Sequence, residues 1–195
     1  MRGKQVLLRD GSIVVLRKVR SEDGPLVADG FARLSNQSRE SRFLTGKPNL
    51  TPAELRYLTA IDHHDHEAIL ALNPVDGRGL GIARYIRRSE DPQAAEVAVT
   101  VVDDWQRRGL GTEMLSRLAD RARQEGICRF TALVAADNAA VVGLLQDSGM
   151  GVRVTQYESG TVEYEITLPP HGLGDGLHAL LRAFGRRQPA SSAGD

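Results

Sequence analysis

Apolar positions along the chain fall mostly into short alternating runs, interrupted by a few stretches in which they recur every three or four residues. Residues 4–18, KQVLLRDGSIVVLRK, read as two strands around Asp10-Gly11, a strong hairpin signal. Ser21-Glu22-Asp23 then reads as a helix start, with Ser21 as N-cap, two carboxylates in the first turn, and Leu26, Val27, Phe31 and Leu34 on the buried stripe. A short helix over 36–43 follows, the segment from Pro48 to Pro52 breaks the chain, and Thr51 or Pro52 opens a third helix through AELRYLTAI. Strands are expected at 67–73 and 80–87, with a turn of Pro74, Asp76, Gly77 and Gly79 between them, and a third strand from Glu96 completes a meander. TEMLSRLADRARQEG returns to helical spacing, with Met114, Leu115, Leu118, Ala119 and Ala122 on one face. Next come a strand at 129–135, a helix at 138–147 closed by Gly149, and two strands at 151–156 and 161–168 around Ser159-Gly160.

Strand, helix and strand at 96–135 make a βαβ unit, so those two strands should be parallel neighbours in an otherwise antiparallel sheet with helices on both faces. One domain is expected over 1–168. In 169–195, Leu173, Leu177, Leu180, Leu181 and Phe184 share a helical face, but Gly174 and Gly176 weaken it, and the last residues have the composition of a flexible tail.

Composition narrows the function more than the fold. The 195 residues are 41% hydrophobic and carry 25 basic against 25 acidic side chains, so no electrostatic footprint for nucleic acid or membrane is present. Cys128 is the single cysteine, which excludes an intrachain disulfide; it precedes a strand and is expected to be packed. No apolar run approaches a membrane span and the first residues lack a signal-peptide core, so a cytoplasmic protein is expected.

The stretch 95–112, AEVAVTVVDDWQRRGLGT, carries the chemistry. A β-branched run ends in a charged turn, then Gly109 and Gly111 open the helix, whose first N–H groups have no intrahelical partner. Such a turn seats an anion, and Arg107 and Arg108 add positive charge. A dinucleotide fingerprint would need glycine where Met114 stands, and a Walker loop would need lysine before Thr112. The letters RGLG recur at Arg78–Gly81, between two strands with no helix after them, where they read as a hairpin turn.

Gln106-Arg107-Arg108-Gly109-Leu110-Gly111 resembles the Q/R-x-x-G-x-G/A signature of the GCN5-related N-acetyltransferases. The resemblance extends from Val6 to Leu168 in element order and includes Asn138 in ADNAAVVGLLQDSGM. It is strongest to the bacterial protein-lysine acetyltransferases, through the AEVAVTVVD run and the VRSED and LSNQSRESRFL segments. The fold implied is α/β (α+β): a mixed, mostly antiparallel sheet flanked by helices, with a central βαβ acyl-CoA-binding unit. Acetyl-CoA is the implied co-substrate, and no metal is expected. Arg107, Arg108, Gly109, Leu110, Gly111 and Thr112 would hold its pyrophosphate. Val99, Thr100 and Val101 would pair with the pantetheine arm, and Asn138 would cap its helix or touch the same arm.

Acetyl transfer needs a neutral amine, whereas lysine is an ammonium at pH 7, so a base must take a proton. Glu96 is the candidate: it shares a strand face with Ala98, Thr100 and Val102, and partial burial there would suit the role. The resemblance implies the same role for a glutamate at this place; the alternative is a solvated or arginine-paired strand-end carboxylate. Leu145 replaces the tyrosine that many relatives carry as acid. The run His63-His64-Asp65-His66-Glu67 has metal-ligand residue types but strand alternation divides it between two faces, so it reads as a polar loop close to the acceptor. The expected activity is N-acetyl transfer to an amine, with a protein lysine as partner; a small amine, or a non-catalytic acyl-CoA-binding module, are the other readings.

Overall fold

The structure is a computed structural model that describes residues 3–43, 48–136, 152–158 and 160–168. Eight strands, β1 (Lys4–Leu7), β2 (Ile13–Lys18), β3 (His66–Leu72), β4 (Gly79–Arg87), β5 (Ala94–Val101), β6 (Arg129–Ala135), β7 (Val152–Glu158) and β8 (Thr161–Thr167), form one sheet in the order β1-β2-β3-β4-β5-β6-β8-β7. Only β5 and β6 run parallel, as the crossover through the intervening helix requires. This is the mixed, mostly antiparallel sheet expected, and β1 to β5 are a continuous meander. Its first turn forms as Asp10-Gly11 predicts: the Asp10 carboxylate accepts from the Ser12 N–H at 3.0 Å and hydroxyl at 2.9 Å, while Gly11 takes φ +85°.

Among the described residues four helices flank the sheet: α1 (Gly24–Ala32), α2 (Asn36–Phe43), α3 (Pro52–Thr59) and α4 (Leu110–Gln124). The Ser21 cap is not formed. Residues Ser21–Asp23 make one 3-10 turn and α1 starts after it with Asp23 at the N-cap, because the Asp23 carboxylate is already held by both Arg17 guanidinium nitrogens at 2.6 Å and by the Arg20 N–H at 2.8 Å. Thr51 does cap α3, in a reciprocal box with Glu54.

Alternation sends two sets of side chains to opposite faces of the sheet. On one, Leu16, Ile69, Ala71, Ala83, Tyr85 and Phe130 pack against Leu110, Met114, Leu118, Ala119 and Ala122 of α4. On the other, Val15, Val19, Ala68, Leu70 and Leu72 lie under α1 and the segment after α3, with Leu26 and Ile61 against them. Two expectations need correction. Gly79 and Gly81 lie inside β4 and not in a turn; a Cβ on Gly81 would come within 2.7 Å of the Thr100 carbonyl oxygen, so glycine lets β4 and β5 close up there. Cys128 is exposed, because Ile127 takes the buried position between α4 and β6. The expected helix at 138–147 with Gly149, Ser159 of the last turn, and the segment 169–195 lie outside the described residues.

Candidate active site

The site is built where two strands of the sheet separate. β5 is paired with β4 along its length, from Arg87–Ala95 to Gly81–Val101, but with β6 only through Ala94–Arg129, Ala95–Phe130 and Glu96–Thr131. Beyond Glu96 the two parallel strands part. The Val102 N–H donates to the Leu80 carbonyl and the Arg88 N–H to the Ala94 carbonyl, so even-numbered residues of β5 turn their backbone groups to β4 and odd-numbered ones toward β6. Past the last rung, Val99 and Val101 therefore direct backbone groups into the opening without a β6 partner among the described residues; the Val101 carbonyl accepts from the Gln106 amide at 3.0 Å. Thr100 does not fit the expected backbone pairing: it is matched with Ile82 of β4, and its side chain lines a cavity on the α1 side.

A charged turn carries the chain from this edge to α4. Asp103 accepts from Ser35 and Ser38 side chains and the Ser35 N–H, which ties the turn to the start of α2; burial raises its pKa, but these hydrogen bonds hold it below the ordinary carboxylate value. Gly109 stands at the N-cap of α4 with φ +88° and needs glycine for that conformation, whereas a Cβ on Gly111 would meet only Val101 Cγ2 at 3.8 Å. The Glu113 N–H bonds the Gly109 carbonyl, leaving the N–H groups of Leu110, Gly111 and Thr112 ahead of it without an intrahelical acceptor. The two arginines differ. Arg108 is held within the protein, over the Trp105 ring at 4.8 Å, to the Asp104 carbonyl at 3.0 Å and toward Asp10 at 3.4 Å, while Arg107 is exposed with φ +63°. The Arg9 stem covers Gly109 from the β1–β2 turn, 3.6 Å from where a Cβ would lie.

Glu96 occupies the last rung before the opening, opposite Ile86 on one side and Thr131 on the other. It is exposed, not partly buried as expected, and its side chain forms no ion pair or hydrogen bond with any described residue. The Thr131 hydroxyl beside it is buried without a partner among the described residues. Ala98, Thr100 and Val102 do share its face, and with Leu70, Ile82 and Arg84 they floor a largely apolar cavity of about 50 Å³ under α1. Arg84 is only 6% exposed and stacks on the Tyr57 ring at 4.7 Å.

The histidine run divides between the two faces of the sheet. His63 Nδ1 sits 2.6 Å from Glu67, His64 pairs with Glu125 at the end of α4, and Glu67, also bound by Lys18 at 3.0 Å and Arg121 at 3.3 Å, is a fully enclosed carboxylate on the α4 face. His66 alone faces the other side, against Tyr57. Among the described residues no group of three or more His, Cys, Asp or Glu side chains converges as a metal would require. The Tyr85 hydroxyl donates to the His64 carbonyl at 3.1 Å, and burial pushes its pKa up to about 12. Asn138 and Leu145 lie outside the described residues. Arg84, Tyr57 and Thr131 were not anticipated; the one signal for Arg84 is a cation in the otherwise inward-facing run Gly81–Tyr85, which charged side chains avoid unless they are used.

The acetyltransferase (GNAT) family profile matches residues 33–150. Acetyltransferase Pat of Mycolicibacterium smegmatis is 32% identical over 166 residues, which make up 85% of this chain and 49% of that protein, so the chain spans about half the length of this relative. Acetyltransferase PA5475 of Pseudomonas aeruginosa is 37% identical over 136 residues, 69% of this chain and 73% of that protein. Among solved structures, the GNAT domain of S. lividans PAT superposes with a TM-score of 0.75 at 28% identity, over 85% of this chain and 97% of that domain.

Proposed function

The chain belongs to the acetyltransferase (GNAT) family, and from that premise we infer that it moves acetyl from acetyl-CoA directly to an amine, a protein lysine side chain, with Glu96 as the base. The observation that carries this reading is the parting of β5 and β6 after Glu96, which leaves one strand edge without a partner among the described residues where the N-terminus of α4 begins. That arrangement suits a long ligand with an amide-bearing arm and a pyrophosphate. Val99 and Val101 would take the arm as an added strand. The N–H groups of Leu110, Gly111 and Thr112, with Gly109 and the exposed Arg107, would take the pyrophosphate, while Arg108 braces the turn. Acetyl-CoA supplies an activated acyl group as its thioester. Glu96 accepts the ammonium proton of the acceptor, directly or through one water, and so frees the amine to attack. The remaining catalysis is positioning on β5.

The lysine reading is supported by the exposure of Glu96 on an open face, which a side chain carried by a large partner can reach. The small cavity beside it supports the second reading, a small amine. Two substitutions test the site. Glu96→Gln should lower CoA-thiol release on lysine peptides at neutral pH by about 10²-fold with acetyl-CoA affinity unchanged; an unaltered pH–rate profile removes Glu96 as base. Gly111→Val should weaken acetyl-CoA binding by about tenfold with little change in melting temperature, since lost backbone hydrogen bonds to a charged group are worth that much. Gly109→Val, at φ +88°, should lower both. Equal affinity in the folded Gly111 variant would refute the pyrophosphate seat.

A further inference from the structure

Arg84 has an environment that nothing in the fold explains. Its side chain is buried, and its guanidinium forms no hydrogen bond or ion pair with any described residue. Its one described polar contact is the Tyr57 ring, 4.7 Å from the guanidinium carbon. A largely buried cation with no counter-charge among the described residues is costly, and its donor fork is left to whatever the cavity holds. Yet the guanidinium borders the cavity under α1, where a small group of opposite charge can reach it. Two further observations bear on what would go there. Arg84 stands directly opposite Ala98 on β5, so Glu96, two residues away on the same face, is its diagonal neighbour, about 7–8 Å off between strand positions. His66, another basic side chain on this face, is held neutral at pH 7: burial and Arg84 push its pKa down to about 4.

We propose that Arg84 is the anion-recognition residue of the acceptor subsite, and that the preferred acceptor carries a carboxylate beside the amine it presents to Glu96. The proposal rests on the reading of Glu96 as base. A single guanidinium facing apolar walls matches a planar monoanion in charge and in its two-point geometry, and the cavity beside it has room for a group of that kind. The carboxylate has two sources: the main-chain carboxylate of an amino-acid acceptor, or an acidic side chain next to the target lysine in a peptide.

Matched acceptors separate them. CoA-thiol release is measured with Nα-acetyl-lysine against its methylamide, and with a lysine peptide bearing Asp beside the lysine against the same peptide with Asn. The wild type should favour the carboxylate member of at least one pair by about tenfold in kcat/KM, chiefly through KM, and the pair that responds names the source. In Arg84→Met the ratio should fall to one, with KM for acetyl-CoA unchanged and melting temperature not lowered; Arg84→Lys should keep part of the ratio. A ratio near one for both pairs in the wild type, or a ratio that survives Arg84→Met, overturns the proposal. Thermal stabilisation by Nα-acetyl-lysine but not its methylamide, lost in Arg84→Met, tests the same contact without turnover, and its absence counts against Arg84. Glu96→Gln should slow both members of a pair alike and leave their ratio intact. An unchanged rate in that variant refutes the base while the ratio still judges Arg84.

Discussion

Glu67 and Arg84 occupy neighbouring rungs of β3 and β4, are both almost completely buried, and point to opposite faces of the sheet. Around Glu67, Lys18, His63 and Arg121 converge from β2, the β3 entry and α4 within 3.3 Å, and the Ala68 N–H adds a bond at 3.0 Å. Burial alone would raise the Glu67 pKa, but the hydrogen bonds from His63 and Lys18 hold it below the ordinary value. Around Arg84 there is an aromatic ring and a cavity. The first is a closed network that joins the helix to the sheet. The second has no counter-charge among the described residues and opens on a space. Burial by itself does not mark a functional charge; burial without a partner, next to a space, does.

The largest effect that tests this contrast is on Glu67. Glu67→Leu should cost about 1–3 kcal/mol in urea denaturation, because it removes the acceptor that Lys18, His63 and Arg121 share, while Lys18 still reaches water and Arg121 keeps Glu125, and a loss below about 0.5 kcal/mol would mean that the network adds nothing to stability. Arg84→Met should go the other way, unchanged or more stable, for it removes a charge that has no counterpart among the described residues. A smaller effect concerns acid. The folded His66 titrates at about 4 against an ordinary 6.5, so the unfolded chain binds that proton first and His66 contributes a loss of stability as pH falls from about 6.5 toward 4. Arg84→Met should flatten this loss in part, since burial is the larger cause and the Arg84 charge the second; stability curves of the two proteins with the same slope over that window would show that Arg84 does not act on His66.

Much of the fold follows from local pattern. The Asp10-Gly11 hairpin, the Thr51 cap, the strand alternation from His66 to Val101 and the helical stripe of α4 are all short-range signals, and each element forms within a few residues of where they put it. The glycine turn is legible for a similar reason: φ +88° at Gly109 and orphan N–H groups at a helix start are properties of a contiguous segment. Local pattern misleads where a distant partner decides. Ser21 loses the cap because Arg17 holds Asp23, and Gly79 and Gly81 join β4 because Leu72 of β3 pairs with the first and β5 lies against the second. The histidine run reads as one polar loop, but Glu67 and Glu125 draw His63 and His64 to the α4 face while His66 turns to Tyr57 on the other.

The sequence by itself determined the order of elements, the parallel crossover, the glycine turn and the position of Glu96 on an alternating strand, because each depends on periodicity and turn chemistry within a segment. Only the tertiary structure decided that β5 and β6 part just after Glu96, that Thr100 turns its backbone to β4, and that Arg84 is buried without a counter-charge among the described residues. Pairing, burial and the absence of a partner are relations between strands far apart in the chain, and no single stretch of residues contains them.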